Sequence, residues 1–280
     1  MELNKTHIGD CMELSKDIPD NYVDLVVTSP PYADTLSYGN DVDTFGPDKF
    51  SDWILPLFKE SSRFLKSNGS FILNINDKII KGERSIYVYD LVVRIVRETG
   101  LKLYDRYIWG KKSGLPTGGD KRLNDRIEYI FHFVKDIKKF KNYTDRIRIP
   151  YADSSIVRYK NKVNTNKVID DDGRSKWDGQ KMLEANPLGT IPPGLFDFRT
   201  NAAIRGAKHP APFHPDLPEF FIKWLTDKGD VVLDPFMGGG TTSKVALNMN
   251  RDYIGFEINE TYIEELLDPI MDNNENEFWK

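Results

Sequence analysis

Apolar residues follow two rhythms along this chain. Short runs rich in β-branched and aliphatic residues, at 23–28 (VDLVVT), 70–75 (SFILNI), 103–109, 127–134 (IEYIFHFV), 231–233 and 253–256, read as strands of a buried sheet. Residues 48–66 and 86–99 instead space their apolar positions three and four apart, the stripe of an amphipathic helix. Asn68-Gly69 and Gly100 supply stops after them. Three more helices are predicted at 217–227, 242–249 and 259–267, with a short strand and turn at 6–10 and a helical turn at 12–18. The polar stretches 33–47 and 110–126 predict loops, and Tyr38 and Phe45 in the first are positioned to meet a ligand or pin the loop. From 136 to 205 the periodicity weakens, and PLGTIPPG within it predicts irregular backbone. Strands alternating with helices predict an α/β fold interrupted by an inserted subdomain.

Composition narrows the classes. The 280 residues are 39% hydrophobic and 29% charged, enough for a sizeable core in a soluble protein. No apolar run approaches the roughly 18 to 20 residues of a membrane span, so no membrane is expected as a partner. The first ten residues, MELNKTHIGD, lack the apolar segment of a secretory signal. One cysteine, Cys11, rules out a disulfide framework and a cysteine-based zinc site, and four scattered histidines predict no metal site. A reducing cytoplasm fits. The net charge of −4 hides an asymmetry: residues 101–168 hold 17 Lys+Arg against 7 Asp+Glu, while the tail from Arg251 holds 2 basic and 9 acidic residues. Lys111, Lys112, Lys121 and Arg122 lie in the basic loop 110–126. Arg146, Arg148, Arg158 and Lys160 lie in the irregular region, interleaved with Tyr143, Tyr151 and Tyr159. Such a mixture suits phosphates and bases.

Two motifs carry chemistry. Ser29-Pro30-Pro31-Tyr32 follows the strand at 23–28. Two prolines cannot extend a strand, so the backbone turns out at the carboxyl edge of the sheet, where open α/β sheets bind ligands. A serine hydroxyl, a proline carbonyl outside any ladder and an aromatic face would suit a planar ring bearing an NH2 group. The second motif is Asp234-Pro235-Phe236-Met237-Gly238-Gly239-Gly240-Thr241-Thr242, between a strand and a helix, with Glu257 ending the next strand. Strand, glycine turn, helix, strand and acid form a nucleoside-site grammar. No GK[ST] follows the glycines, so a phosphate loop fits poorly, and an adenosine ligand fits better.

SPPY near the amino end and DPFMGGGTT near the carboxyl end together resemble the S-adenosylmethionine-dependent DNA amino-methyltransferases, which methylate the exocyclic amine of cytosine or adenine. IGDC, VDLVVTSPPY, LKLYDRYIWGKK, RIEYIFHFVK, KHPAPFHPDLPEFF and DYIGFE extend the resemblance over most of the chain. Gly239 stands where many relatives carry Ser or Asn. The catalytic motif preceding the cofactor motif is similar to the β group. That resemblance implies a Rossmann-like mixed sheet with helices on both faces, in a circularly permuted methyltransferase fold with an irregular target-recognition insert. The implied division is 1–135 for the catalytic half, 136–205 for the insert and 206–280 for the cofactor half. It implies S-adenosyl-L-methionine held by Asp10, Asp234, Pro235, Phe236, Gly238, Gly240, Thr241 and Glu257, with His209 and Phe213 over its methionine end. It further implies a flipped base held by Ser29, Pro30, Pro31 and Tyr32. Double-stranded DNA is the implied substrate, and a homodimer and a cognate restriction endonuclease are candidate partners. Serine at the head of the first motif favours cytosine N4 over adenine N6. Adenine-N6 methylation and a non-catalytic DNA-binding module that keeps the fold are the competing readings.

Overall fold

The computed structural model describes residues 1–32, 46–111, 121–160, 167–169, 175–177, 185–198 and 214–262, with side chains at all but 157–160, 167–169 and 175–177. Tyr38, Phe45, Lys112, His209 and Phe213 lie outside the described residues, and so does most of the helix expected at 259–267.

The chain runs through β1 (Lys5–Ile8), α1 (Cys11–Leu14), β2 (Val23–Thr28), α2 (Pro47–Phe64), β3 (Leu65–Ile75), β4 (Ile79–Ile80), β5 (Glu83–Arg84), α3 (Tyr87–Glu98), β6 (Lys102–Gly110) and β7 (Ile127–Val134). It continues through α4 (Asp153–Lys160), β8 (Lys167–Ile169), β9 (Ser175–Trp177), β10 (Leu195–Phe196), α5 (Asp216–Leu225), β11 (Val231–Asp234), α6 (Thr241–Asn248), β12 (Asp252–Glu257) and α7 (Glu260–Tyr262). Eight strands form one mixed sheet in the order β1-β12-β11-β2-β3-β7-β6-β10. Strand β7 is antiparallel to both neighbours, and the other pairs are parallel.

Side chains alternate across a sheet, so each inner strand feeds two cores. Val26, Phe71, Leu73, Leu233 and Phe256 pack with Ile54 and Phe58 of α2 and Leu91 of α3. Leu25, Val27, Ile72, Val232 and Tyr253 pack on the opposite face with Phe221 and Ile222 of α5 and Val245 of α6. A strand covered on both faces must be apolar at every position, which is why VDLVVT does not alternate. The fold is the expected α/β sheet with helices on both faces. Strands β11 and β12, from the carboxyl end, fill the space between β1 and β2, which is the permuted arrangement. Among the described residues no helix is long and apolar enough to cross a membrane.

Three expectations need correction. Strand β3 starts at Leu65, not Ser70. Leu65 pairs with Val23, and a register irregularity follows before Leu25 meets Ser70. Gly69 sits in that irregularity, where a Cβ would lie 2.9 Å from the Asp24 carbonyl oxygen. It serves the close approach of β2 and is not a helix stop. The insert is narrower than 136–205: the second compact unit is Thr144–Pro193. Phe140 and Phe198 pack on the main core and β10 joins the main sheet through β6, so the described residues 136–143 and 194–198 belong to the larger unit. The insert also contains more regular structure than its weak periodicity predicts, in α4 and the β8–β9 hairpin.

Candidate active site

Strands β2 and β11 are parallel neighbours, with Leu25 opposite Val232 and Val26 opposite Leu233. SPPY leaves the end of one and the glycine turn leaves the end of the other. A buried hydrogen bond joins them: Thr28 Oγ1 donates to Asp234 Oδ1 at 2.8 Å, across 206 positions of sequence. Asp234 Oδ1 also accepts from the Phe236 N–H at 3.1 Å, and Oδ2 accepts from Thr242 Oγ1 at 2.6 Å. Burial nevertheless pushes the Asp234 carboxyl up to about 6, against the pull of those three donors.

The turn itself needs glycine twice. Gly238 has φ 51° and Gly240 φ 79°, left-handed values that place bare backbone where a Cβ would strain the chain. Glu257 ends β12 in a buried position. Its Oε2 accepts from the Gly238 N–H at 2.7 Å and its Oε1 from the Asn259 N–H at 2.9 Å. Two backbone donors thus aim this carboxylate. Phe236 is half-buried, with its ring 5.8 Å from the Trp53 ring on α2. Trp53, read from the sequence only as part of a helix stripe, is therefore a wall of this turn. Thr241 opens α6, and Pro235 is buried behind Phe236 in sequence. Asp10 is exposed one strand away, because Ile8 pairs with Glu257. Its Oδ1 accepts from the Met12 N–H at 2.8 Å, so it caps α1.

On the SPPY side, Pro30 is buried and Ser29, Pro31 and Tyr32 are half-buried. Ser29 Oγ lies 3.3 Å from the Tyr32 hydroxyl, which donates to Glu128 Oε2 at 2.9 Å. Lys111 Nζ pairs with the other Glu128 oxygen and lies 5.2 Å over the Trp109 ring. Burial, reinforced by the Glu128 charge, holds the Tyr32 phenol well above its ordinary value. Sequence reading passed over Glu128. Its signal is an acid near the entrance of the mostly apolar run IEYIFHFV.

The expected phosphate contacts scatter. Lys111 is committed to Glu128, and Arg122 donates to the Gly82 carbonyl. Arg148 braces the insert, pairing with Asp145 at 2.6 Å and donating to the Gly189 carbonyl at 3.0 Å. Lys121 and Arg146 are exposed. Arg158 and Lys160 lie on α4, where only the backbone is described.

Known proteins resemble this chain in sequence and fold. The chain is 31% identical to the Type II methyltransferase M.PvuII of Proteus hauseri, over 97% of this chain and 84% of that protein. It is also 31% identical to the Type II methyltransferase M.BglII of Bacillus subtilis, over 98% and 71% of the two chains. The solved PvuII DNA methyltransferase (cytosine-N4-specific) superposes with a TM-score of 0.71 at 28% identity, over 97% of this chain and 87% of that one. The M1.HpyAVI–SAM complex shares the fold, with a TM-score of 0.59 at 20% identity over 94% and 97% of the chains. Residues 23–268 match the N6_N4_Mtase family, described as DNA methylase, and this protein belongs to that family.

Proposed function

We propose that this DNA methyltransferase moves the methyl group of S-adenosyl-L-methionine to the exocyclic N4 of cytosine in double-stranded DNA, with the target base turned out of the helix. The observation that carries the reading is the Thr28–Asp234 hydrogen bond, which ties the SPPY strand to the glycine-turn strand. A base held by one motif and a nucleoside held by the other then share one sheet edge.

The turn fits the cofactor. Gly238 and Gly240 put backbone without side chains into the turn, and Glu257, aimed by two N–H donors, ends the next strand, the place of the ribose-binding acid in a nucleoside site. Two carboxylates, Asp234 and Glu257, suit a nucleoside with a cationic tail better than a pyrophosphate. M1.HpyAVI, of the same fold, is known as a complex with SAM. When bound, the cofactor supplies an electrophilic methyl group on a sulfonium sulfur. The chain's own residues handle the amine, whose lone pair is delocalised into the base ring. Ser29 Oγ and the Pro30 carbonyl accept its two N–H groups and draw the nitrogen toward sp3 character. Tyr32 offers a stacking face, which offsets part of the few kcal/mol needed to unstack a base. Placement and electrostatics supply the acceleration. Cys11 is buried in a core and has no part in it.

Serine at the head of the motif supports cytosine over adenine, as does the cytosine-N4-specific description of the PvuII enzyme. The insert is assigned to target recognition. Lys121 and Arg146, joined by Lys112, Arg158 and Lys160, are assigned to phosphates, which makes binding salt-sensitive. A homodimer and a restriction endonuclease sharing the site are assigned as partners, the latter supported by the Type II names of both relatives. The test is methyl transfer from labelled cofactor to duplex DNA, followed by nucleoside analysis. N4-methylcytosine is expected. N6-methyladenine would move the target to adenine, and no label in DNA would overturn both.

A further inference from the structure

Glu128 has no role in the reading above, yet it lies behind SPPY. We propose that Glu128 is a positioning residue: it fixes the hydrogen-bond direction of the Tyr32–Ser29 pair, so that Ser29 meets the target amine as an acceptor. This rests on the reading that Ser29 holds that amine.

The available protons set the direction. A carboxylate paired with an ammonium can only accept hydrogen bonds. One Glu128 oxygen faces the Lys111 ammonium, and the other faces the Tyr32 hydroxyl at 2.9 Å. The single phenol proton is thereby committed to Glu128. In the Ser29–Tyr32 contact at 3.3 Å, geometry alone lets either oxygen donate. With the phenol proton committed, only Ser29 has a proton to give. Ser29 then donates inward to Tyr32, and its lone pairs are left for an incoming N–H. A serine without this constraint could turn its proton toward the amine nitrogen and occupy the lone pair that must attack the methyl group. The Ser29–Tyr32 contact is long for an O–H···O bond, as such contacts often are before substrate tightens them.

The anchor is rigid. Glu128 is only 6% exposed and sits opposite Trp109 in the β6–β7 ladder, while Lys111 lies over that same Trp109. A buried carboxylate with a cation on one oxygen and a phenol on the other is both tolerated and immobile. The same bond holds the Tyr32 ring that stacks on the base.

The experiment measures single-turnover methyl transfer, with cofactor and DNA dissociation constants, for Glu128→Gln, Tyr32→Phe and the double variant. A glutamine amide can turn an N–H toward Tyr32 and reverse the chain. Each single variant is expected to slow transfer about 10- to 100-fold, with both dissociation constants within about threefold. The double variant should be no slower than Tyr32→Phe alone, because both changes break one chain. Multiplying losses in the double variant would overturn the proposal alone, as would wild-type transfer by Tyr32→Phe. Absence of methyl transfer to DNA by the wild type would overturn the underlying reading, and this proposal with it. Should Glu128→Gln fail to fold, an unchanged rate in Tyr32→Phe still decides against it.

Discussion

Ser29 combines a hydroxyl within 3.3 Å of the Tyr32 hydroxyl with a fixed place just past the end of β2, and that makes it the side chain most exposed to test. Ser29→Ala removes one acceptor from the amine while leaving Asp234, the glycine turn and Glu257 untouched. Single-turnover transfer should fall about 100-fold or more, with cofactor affinity within about threefold. Wild-type transfer would remove serine from the chemistry. Thr28→Val is the complementary change. It deletes the bond to Asp234 but keeps shape, so a buried carboxylate loses one of its three donors. A loss of about 1 to 3 kcal/mol in urea unfolding is expected, with cofactor binding weakened; equal midpoints would show that the junction does not matter. Ser29 and Asp234 were within reach of sequence reading for a local reason, whereas the Thr28–Asp234 bond, across 206 positions, was not. Pro30-Pro31 and Gly238-Gly240 constrain backbone within a few residues, so they announce a turn wherever they stand. Glu128 shows only as an acid within an apolar run and its role does not, because its partners Lys111 and Tyr32 are 17 and 96 positions away.

Elements were legible where burial on both faces forces continuous apolar runs. β2 and β7 begin and end with VDLVVT and IEYIFHFV. They were illegible where something else holds the backbone. The β4–β5 hairpin is fixed by ion pairs of Arg84 with Asp77 and Asp125, not by apolar spacing. In the insert, Gly189 has φ 102° and its backbone abuts Ile149, a packing that no periodicity reveals. The amino edge of the sheet shows the same principle. Buried Asp24 at the start of β2 accepts from Lys66 at 2.7 Å, Lys141 at 2.8 Å and the Val231 N–H at 3.0 Å, and Lys141 also reaches Asp230 at 2.7 Å. Lys141 thereby clamps β2 to β11 at the end opposite the site. Lys141→Met should cost about 2 to 3 kcal/mol, below the usual value for breaking a buried pair because Lys66 remains. Urea titration at constant m-value measures it; a change under about 0.5 kcal/mol, the scale of ordinary surface substitutions, would mean Lys66 suffices.

At the scale of the whole molecule, the sheet order depends on pairings between segments more than 200 positions apart, which no local pattern encodes; motif order alone hinted at the permutation. The sheet also sets how stability responds to pH, through two buried groups that pull in opposite directions. Burial raises Asp234 from 3.8 to about 6. Between those values the folded chain keeps a proton that the unfolded chain has released, so this group makes stability fall as pH rises. Burial lowers His132, between Ser70 Oγ at 3.0 Å and the Tyr107 hydroxyl at 3.3 Å, from 6.5 to about 3. Over that interval the unfolded chain holds the extra proton, so this group makes stability rise with pH. From about pH 4 to 6 the two slopes oppose each other. Asp234→Asn removes only the first. Without ligand, its unfolding free energy should therefore climb more steeply with pH than that of the wild type, by up to about 1.4 kcal/mol per pH unit for one proton. Urea unfolding at pH 4, 5 and 6 measures the difference, and parallel curves for the two proteins would mean that Asp234 is already ionised throughout that range in the folded state.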